Sequence, residues 1–381
     1  MRVSDKTAGL EPRGARPRVR GRLAAAFVTA VAWCALATPD AGAATAEIAS
    51  DGFERVLVFD AGPGEGNALT ATAQDSDRVQ IIDTGANVEA GPGCSGGGAP
   101  GASVVCSEPG LSIDRIAIET RDGDDAVNLD GIIVAGRVLE IEILSGAGDD
   151  SITAGPAGAV VRPGPGDDRF EGGLGPDSVY AKPVLDSDDI LAGGGEYDYV
   201  TYPRASSVSL AQDAFANDGA AGEHDSVTGF EKVETGAGDD VLVVAGRPGY
   251  LSLSTAAGDD LIVGGGDRRA RTIVSAGTGA DRLEGGPGTE IVHGEGGDDV
   301  LRGSGETDRL EGETGHDRVA GGAGRDYIFG GRGDDRLDAT SAGPPGRPNR
   351  DRANCGQGRD VARVDVDDQP RHCEILRGAP E

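Results

Sequence analysis

Single aliphatic residues recur at every ninth position between residues 276 and 338. Each stands in the middle of a three-residue stretch, which is long enough for a minimal β-strand with one side chain pointing inward. One such strand cannot bury its aliphatic residue alone, whereas stacked copies can, in parallel ladders about 4.8 Å apart. The pattern therefore predicts a solenoid of short parallel strands whose inward residues are Leu283, Val292, Leu301, Leu310, Val319, Ile328 and Leu337.

The residues between these strands follow a regular pattern of glycine and acid. In seven consecutive nine-residue units, glycine occupies the first and fourth positions except at Ala276 and Glu306, and the sixth position is always acidic. Glycine at these positions lets the backbone turn tightly. If one coil consists of two units, acids in alternate units stack on the same edge, and Asp335 ends its row. One edge then carries Asp281, Asp299, Asp317 and Asp335, and the other carries Glu290, Asp308 and Asp326.

Stacked carboxylates indicate a bound cation. Two unit charges about 4 Å apart repel by about 4 kcal/mol at an effective dielectric constant of about 20. A hard dication that takes about six to eight oxygen ligands removes this repulsion, and carbonyl groups of the turns can complete its shell. The alternative is that the acids only keep a glycine-rich coil soluble, but solubility does not require an acid at one fixed position of every unit.

The units resemble the GGxGxDxUx nonapeptide of the RTX, or haemolysin-type, calcium-binding repeats. The resemblance implies an all-β fold, a parallel β-roll in which Ca²⁺ lies between successive turns. Seven tandem copies in register make the signal specific. Less regular units of the same frame precede them, and the further calcium ligands that the resemblance implies there are Asp150, Asp168, Asp177, Asp198, Asp240 and Asp260.

The repeats divide the chain into segments. We expect a first repeat block over 145–201, an acidic insert over 202–234, degenerate repeats over 235–275 and the regular roll over 276–338. A three-residue insertion in the first block leaves the stacking of its last acids open. The insert resembles a module that interrupts such repeats in exported bacterial proteins. Its polar residues are equally compatible with another Ca²⁺ site and with a solvated turn, and they are Asn217, Asp218, Glu223 and Asp225.

The C-terminal part predicts a linker and a cap. Residues 339–354 are rich in proline, glycine and arginine, which is typical of a linker. Residues 355–381 resemble the C-terminal caps of the same proteins, and a solenoid needs its end covered. The resemblance implies a last turn tied back by a disulfide between Cys355 and Cys373.

Residues 44–144 predict a small β module without long helices. Cys94 and Cys106 are expected to pair in an exported protein, closing a short loop. No histidine lies near them, which disfavours a metal site. Residues 119–129 contain a first imperfect turn, with Asp125 at the acidic position. Alternating or β-branched runs predict strands at 53–60, 78–83, 103–106, 114–120 and 137–144.

The N-terminus has the features of a secretory signal peptide over residues 1–43. Basic residues are frequent before residue 23, an apolar run follows over 23–37, and small residues surround position 43. The apolar run is short for a membrane span. We therefore expect a secreted, extracellular protein without a membrane span after cleavage, with an uncleaved anchor as the alternative.

The composition of the chain limits the classes of ligand that it can bind. The formal net charge of −30 argues against nucleic acids and anionic membranes as ligands. Glycine accounts for 65 of 381 residues and aromatic residues for only 4%. Such a chain loses much conformational entropy on folding and has little apolar mass to bury, so a bound metal would have to contribute to its stability.

The sequence thus predicts a secreted calcium-binding β-roll that is not an enzyme, with Ca²⁺ as its cofactor. It contains no HExxH motif and no cysteine–histidine arrangement suited to nucleophilic attack. Two other functions remain open. One is extracellular adhesion through an unknown cell-surface or polysaccharide ligand, and the other is a β-helix hydrolase or lyase acting on polysaccharide.

Overall fold

The computed structural model describes residues 43–50, 54–75, 77–107, 112–133, 139–181, 188–202, 208–210, 219–220, 226–243, 249–265, 268–340 and 350–378. The predicted signal peptide up to residue 42 lies outside these ranges. So do Asn217, Asp218, Glu223 and Asp225 of the acidic insert. No helix in the described part of the chain is both long and apolar enough to span a membrane.

The described residues form short β-strands and one 3-10 turn at Gly155–Ala157. The strands of the N-terminal half are β1 (Ala44–Ser50), β2 (Arg55–Asp60), β3 (Ala68–Asp75), β4 (Arg78–Asp83), β5 (Val88–Ala90), β6 (Cys94–Gly96), β7 (Ser103–Ser107), β8 (Arg115–Glu119), β9 (Ala126–Gly131), β10 (Glu140–Leu144), β11 (Ser151–Thr153), β12 (Val160–Arg162), β13 (Arg169–Glu171), β14 (Ser178–Tyr180), β15 (Ile190–Ala192), β16 (Tyr199–Tyr202), β17 (Val208–Leu210) and β18 (Gly219–Ala220).

The strands of the C-terminal half are β19 (Ser226–Thr228), β20 (Lys232–Thr235), β21 (Val241–Val243), β22 (Tyr250–Ser254), β23 (Leu261–Val263), β24 (Arg271–Ser275), β25 (Arg282–Glu284), β26 (Thr289–His293), β27 (Val300–Gly305), β28 (Arg309–Thr314), β29 (Arg318–Ala323), β30 (Tyr327–Arg332), β31 (Arg336–Asp338), β32 (Arg352–Gln357), β33 (Val361–Val364), β34 (Gln369–Arg371) and β35 (Ile375–Gly378).

These strands stack into a two-faced parallel solenoid, as predicted. One face is a single sheet of 16 strands, here called the long sheet, which runs from β5 to β34. The other face is divided into an N-terminal short sheet of nine strands, from β6 to β19, and a C-terminal short sheet of ten strands, from β18 to β35. From β8 to β16 and from β20 to β35 the chain alternates between the faces, so each coil there contributes one strand to each. The all-β parallel β-roll expected from the sequence is confirmed.

The register confirms the two-unit coil. In the C-terminal short sheet, Leu283 pairs with Leu301, Leu301 with Val319, and Val319 with Leu337. In the long sheet, Val292 pairs with Leu310. All seven predicted inward residues are at most 2% exposed, and their stack forms the core between the two faces.

The N-terminal module is continuous with the solenoid. Strand β2 pairs in parallel with β8 and β3 pairs in parallel with β9, so the coils begin before residue 144. Antiparallel pairs, β1–β2 and β3–β4–β7–β6, surround this first part. Cys94 of β6 lies opposite Cys106 of β7, and the two form the predicted disulfide. The predicted strand at 78–83 coincides with β4.

The acidic insert coincides with the break between the two short sheets. Strand β19 ends the N-terminal short sheet by pairing with β15, and β20 continues the long sheet by pairing with β16. Residues 226–234, predicted as part of the insert, therefore belong largely to a coil. Strand β17 of the insert starts the C-terminal short sheet by pairing in parallel with β21.

The solenoid continues through residues that were predicted to form a linker before the cap. Strand β32 pairs with β30 although residues 339–354 were expected to form a linker, because Asp351 and Ala353 occupy the acidic and inward positions of another unit. The predicted disulfide joins Cys355 of β32 to Cys373. Leu376, in the inward position of β35, stays 54% exposed, so this last coil leaves its inner side partly open.

Candidate metal centre

The register collects the acidic residues into two rows, one on each edge of the roll. The first row lies on the turns that lead into the short sheets, and the second on the turns that lead into the long sheet. These side chains are buried in spite of their charge. The first row contains Asp125, Asp150, Asp168, Asp189, Asp240, Asp260, Asp281, Asp299, Asp317, Asp335 and Asp360, and the second contains Asp177, Asp198, Glu290, Asp308, Asp326 and Asp351.

In most of these acids, one carboxylate oxygen holds the neighbouring coil. The backbone N–H of Asp281 donates to Oδ1 of Asp299 at 2.9 Å, and that of Asp299 donates to Oδ1 of Asp317 at 3.0 Å. In the second row, the N–H of Asp308 donates to Oδ1 of Asp326 at 2.9 Å. Because a hydrogen bond to a charged acceptor is stronger than one between neutral groups, each row ties successive turns together.

At several of these acids, the other carboxylate oxygen is buried and has no hydrogen-bond partner in the described part of the chain. An unsatisfied buried carboxylate oxygen is costly, since it has lost its water without gaining a donor. A row of such atoms along one line therefore needs an electropositive neighbour. The atoms are the Oδ2 atoms of Asp281, Asp299, Asp317, Asp326, Asp335 and Asp360.

In five of the seven regular units, the first glycine makes room for this oxygen of the acid. A Cβ atom built on Gly312 would lie 2.2 Å from Oδ2 of Asp317, and one built on Gly294 would lie 2.4 Å from Oδ2 of Asp299. Any side chain at these positions would collide with the carboxylate. The glycine is thus required by close approach to the acid of its own unit.

Burial disfavours the ionised form of these acids. It raises the pKa of Asp299 to about 8 and the pKa of Asp281 and Asp150 to about 7. In the second row, burial raises the pKa of Asp326 to about 6. Neighbouring acids contribute to the shift, since Asp281 and Asp317 both raise the pKa of Asp299 by repulsion. Without a counter-ion, the pKa of about 8 keeps Asp299 largely protonated at neutral pH, whereas Asp326 holds its proton only at lower pH.

The donor set fits a hard divalent cation. The free Oδ2 atoms and the carbonyl groups of the turns offer oxygen ligands only, which suits Ca²⁺ better than metals that prefer nitrogen or sulfur. A cation between successive turns would supply the missing partner and offset the repulsion between stacked acids. The residues that would hold it are the acids of both rows, with the turn carbonyls around them.

The structure brings together the acids of the irregular repeats as well. The N–H of Asp177 donates to Oδ1 of Asp198 at 2.9 Å, so the insertion between their units leaves the stacking intact. The N–H of Asp240 donates to Oδ1 of Asp260 at 2.7 Å although 20 residues separate them. The number of residues per coil can therefore vary while the acids of successive coils still stack.

The rows extend beyond the residues predicted to bind metal. The expectation that Asp335 ends its row is wrong, because its N–H donates to Oδ1 of Asp360 at 2.9 Å. Asp360 belongs to a further unit whose first position is Cys355 instead of glycine. Asp326 similarly donates to Oδ1 of Asp351 at 2.8 Å. Both units keep the acidic position, but Ala353 and Ala362 replace the larger aliphatic residue at the inward position, so the repeat pattern is weak there.

An outer row of acids accompanies the first row only. Each of these exposed residues directly precedes a buried acid, and it accepts a hydrogen bond from the backbone of the next coil. Asp149 accepts from the N–H of Asp167 at 3.0 Å, and Asp298 accepts from the N–H of His316 at 2.8 Å. In the next coil, Nδ1 of His316 itself accepts from the N–H of Asp334 at 2.8 Å. The two edges thus differ in exposed charge.

Comparison with known families agrees with this geometry. A family model described as the RTX calcium-binding nonapeptide repeat matches the chain in four copies, over residues 163–200, 272–301 and 302–337. The chain carries RTX-type calcium-binding nonapeptide repeats over these residues. The matched ranges contain acids of both rows on either side of the insert, including Asp168, Asp198, Asp299 and Asp308. No curated protein matches the chain.

The RTX repeats are thus of the calcium-binding type, and they form a β-roll. The geometry also shows the role of each position in the repeat. The sixth-position acid uses Oδ1 to hold the preceding coil and turns Oδ2 toward the first glycine, while the eighth-position residue fills the core.

Proposed function

We propose that this RTX protein is a secreted calcium-binding β-roll whose folding and stability depend on Ca²⁺ held between stacked turns. The observation that carries the proposal is the line of buried Oδ2 atoms in the two rows. At Asp299, Asp317, Asp326 and Asp335 this oxygen faces the first glycine of its unit, where a Cβ atom would collide with it. The ligands assigned to calcium are the acids named for both rows.

Two ways of neutralising the rows compete. Protons do so at low pH, and a divalent cation does so at neutral pH by replacing them. A site filled at ten times its dissociation constant adds about 1.4 kcal/mol to the free energy of unfolding, so several sites together rival the stability of an ordinary domain. The metal-free chain is then expanded where calcium is scarce and folds where calcium is abundant.

We place this folding outside the cell that makes the protein. The basic N-terminus, the apolar run over 23–37 and the small residues near position 43 support export by a cleaved signal peptide. The two disulfides are also typical of proteins in oxidising compartments. Sequencing the N-terminus of the protein recovered from the medium tests this part, and a mature chain that begins at Met1 would contradict it.

The roll acts by structure and metal binding, without catalysis of its own. RTX repeats are in general structural and calcium-binding elements. The side chains that define the repeat here are engaged in coil stacking and core packing. A surface-catalysed reaction on polysaccharide would appear as turnover that a single acid substitution abolishes while the roll stays folded.

Neighbouring acids provide a matched test of the calcium sites. Asp299→Asn replaces the free Oδ2 by an amide nitrogen, while Oδ1 can still accept the hydrogen bond of Asp281. Asp298→Asn makes the same change one residue earlier, at an exposed acid of the outer row. Equilibrium dialysis against ⁴⁵Ca²⁺ should show fewer calcium ions bound to the Asp299 variant and an unchanged number for the Asp298 variant.

The same pair of variants also shows how the proposal would fail. Equal calcium stoichiometry for the Asp299 variant and the unmodified protein would remove the buried row from the site. If only the Asp298 variant bound fewer calcium ions, the calcium site would have to be assigned to the outer row. Mg²⁺ at the same concentration serves as the control for charge, because it demands stricter geometry and gives up its water reluctantly.

A further inference from the structure

The C-terminal short sheet carries an unexpected concentration of positive charge on its outer surface. We define the arginine face as the exposed side chains of Arg302, Arg318, Arg336, Arg363 and Arg377, which project from successive strands between β27 and β35. They line a shallow groove of about 370 Å³ together with a single acid, Asp338. This face occurs in a chain whose net charge is −30.

Four of the arginines form two stacked pairs, whereas Arg302 lies opposite Ala320. Arg318 lies directly opposite Arg336 on the adjacent strand, and Arg363 lies directly opposite Arg377. Parallel strands are about 4.8 Å apart, and like charges placed opposite each other destabilise a sheet. The arrangement is therefore unfavourable for the isolated roll, which indicates that something negative binds over it.

The protein's own acids do not neutralise the face. Arg363 pairs with Asp338, Nη1 to Oδ2, at 3.0 Å, and Arg302 pairs with Glu284. In the described part of the chain, Arg318, Arg336 and Arg377 have no ion-pair partner. Three guanidinium groups on one flat surface thus remain available to an external anion. Each has the planar donor geometry that binds carboxylates in pairs of hydrogen bonds.

We propose that the arginine face binds a linear acidic polysaccharide along the axis of the roll. A polyuronate is a narrow chain with one carboxylate on each sugar ring, so a chain laid along the roll presents carboxylates to the arginines of several strands. Over five strands the face extends about 19 Å, enough for several rings.

The edges of the roll exclude broader anions. The strands between the turns are only a few residues wide, about 10 Å for three residues. The acids of both rows, and the exposed outer row with Asp298 and Asp334, flank this strip. A bilayer or a nucleic acid duplex is wider than the strip and would bring its phosphates against these acids. The groove also lacks an aromatic residue in its described lining, which disfavours single-stranded nucleic acid.

The test uses the calcium-saturated full chain and a short, linear oligogalacturonate. Binding is measured by isothermal titration calorimetry, with circular dichroism of the same samples to show that the roll is folded. The fully methyl-esterified oligomer provides an uncharged control of the same length. Calorimetry with Arg318→Gln/Arg336→Gln tests the face. Arg309→Gln is the matched control, because Arg309 is exposed at the same repeat position on the long sheet.

The proposal predicts binding of the charged oligomer and no binding of its methyl ester. The double variant should bind about tenfold more weakly, whereas the Arg309 variant should stay within about twofold of the unmodified protein. Equal affinity of the double variant would overturn the proposal. So would equal binding of single-stranded DNA with the same number of charges, since this would indicate non-specific attraction.

Self-association provides the other contradictory outcome. If sedimentation shows dimers of the ligand-free protein that the double variant abolishes, the occupant of the face is the acidic edge of a second copy rather than a polysaccharide. Calcium could also link the oligogalacturonate to the acidic edges of the roll. The double variant distinguishes this case from binding at the arginine face, because a calcium link at the edges would leave its affinity unchanged. Failure of this inference leaves the calcium sites untouched, since the dialysis experiment does not depend on the arginine face.

Discussion

At the scale of the residue, the sixth-position acid performs two tasks with two oxygens. Oδ1 of Asp317 accepts the N–H of Asp299 in the preceding coil, and its Oδ2 stays buried over Gly312. The first task is complete within the protein, whereas the second requires a cation or a proton. This division explains why the repeat needs an acid at that position and not merely a hydrogen-bond acceptor such as asparagine.

The first prediction concerns the space above the glycine. Gly312→Ala would place a Cβ atom 2.2 Å from Oδ2 of Asp317, so the carboxylate has to move and calcium affinity should fall. Overpacking of this kind typically costs about 1–3 kcal/mol. Calorimetric calcium titration and thermal unfolding measure the two effects.

A nearby glycine controls for the substitution itself. A Cβ atom built on Gly305 would meet its nearest neighbour, Pro287, at an ordinary 3.5 Å, so Gly305→Ala should change the free energy of unfolding by less than about 1 kcal/mol. If both variants lose calcium equally, the glycine acts through backbone flexibility and not through room for the carboxylate.

The sequence predicted which residues stack but not how each one is oriented. The nonapeptide spacing was sufficient to assign Asp299 and Asp317 to one edge, because stacking depends only on the count of residues per coil. Which oxygen holds the next coil, and which one is left free, depends on side-chain torsions that spacing does not determine. The raised pKa values follow from burial and were likewise invisible in the pattern.

At the scale of the element, each coil contributes one inward residue to each face and is stable only between neighbours. Leu301 is fully buried between the strands before and after it. Leu376, in the equivalent position of the last coil, is 54% exposed because no coil follows it in the described chain. Stability should therefore depend on where in the stack an inward residue lies.

The second prediction compares these two leucines in calcium. Leu301→Ala should lower the free energy of unfolding by about 2–5 kcal/mol, as is usual for a buried leucine, whereas Leu376→Ala should cost less than about 1 kcal/mol. Urea unfolding at saturating calcium measures both. Equal losses would mean that the end of the roll is covered in solution.

Element boundaries were the least predictable part of the fold. Residues 350–354 were expected in a linker because their surroundings are rich in proline and arginine, yet Ala353 packs inward like the leucines of the regular units. The frame is hidden there because Asn349 stands at the fourth position of this unit, where glycine is usual, and alanine replaces the larger aliphatic residue. The N-terminal coils were assigned to a separate module for a related reason, since few of their turns contain the glycine pattern.

At the scale of the whole molecule, the two acidic rows make stability depend on pH and metal together. Burial raises the folded-state pKa of Asp317 to about 6, of Asp281 to about 7 and of Asp299 to about 8. In the unfolded chain the same groups titrate near about 4. The folded, metal-free protein therefore binds protons more tightly than the unfolded chain between these values.

The third prediction follows from the sign of this difference. The stability contributed by protonated acids is fully present below the unfolded pKa of about 4 and is lost as the pH rises through about 6 to 8. In EDTA, the urea midpoint should fall as the pH rises from about 5, until the chain is unfolded without urea at about pH 7.5. Calcium binds the ionised form, so the stabilisation by calcium should grow over the same range. A metal-free midpoint that rises with pH in this window would contradict the account.

The central claim is that calcium completes the fold, and a calcium titration of the full chain from EDTA at about pH 7.5 tests it most directly. Far-UV circular dichroism, followed alongside calorimetric binding, should show a cooperative gain of β signal as several equivalents of Ca²⁺ bind, with Mg²⁺ ineffective at the same concentration. A β signal already complete in EDTA, together with no measurable calcium binding, would contradict it and reduce the acids to a solubilising surface.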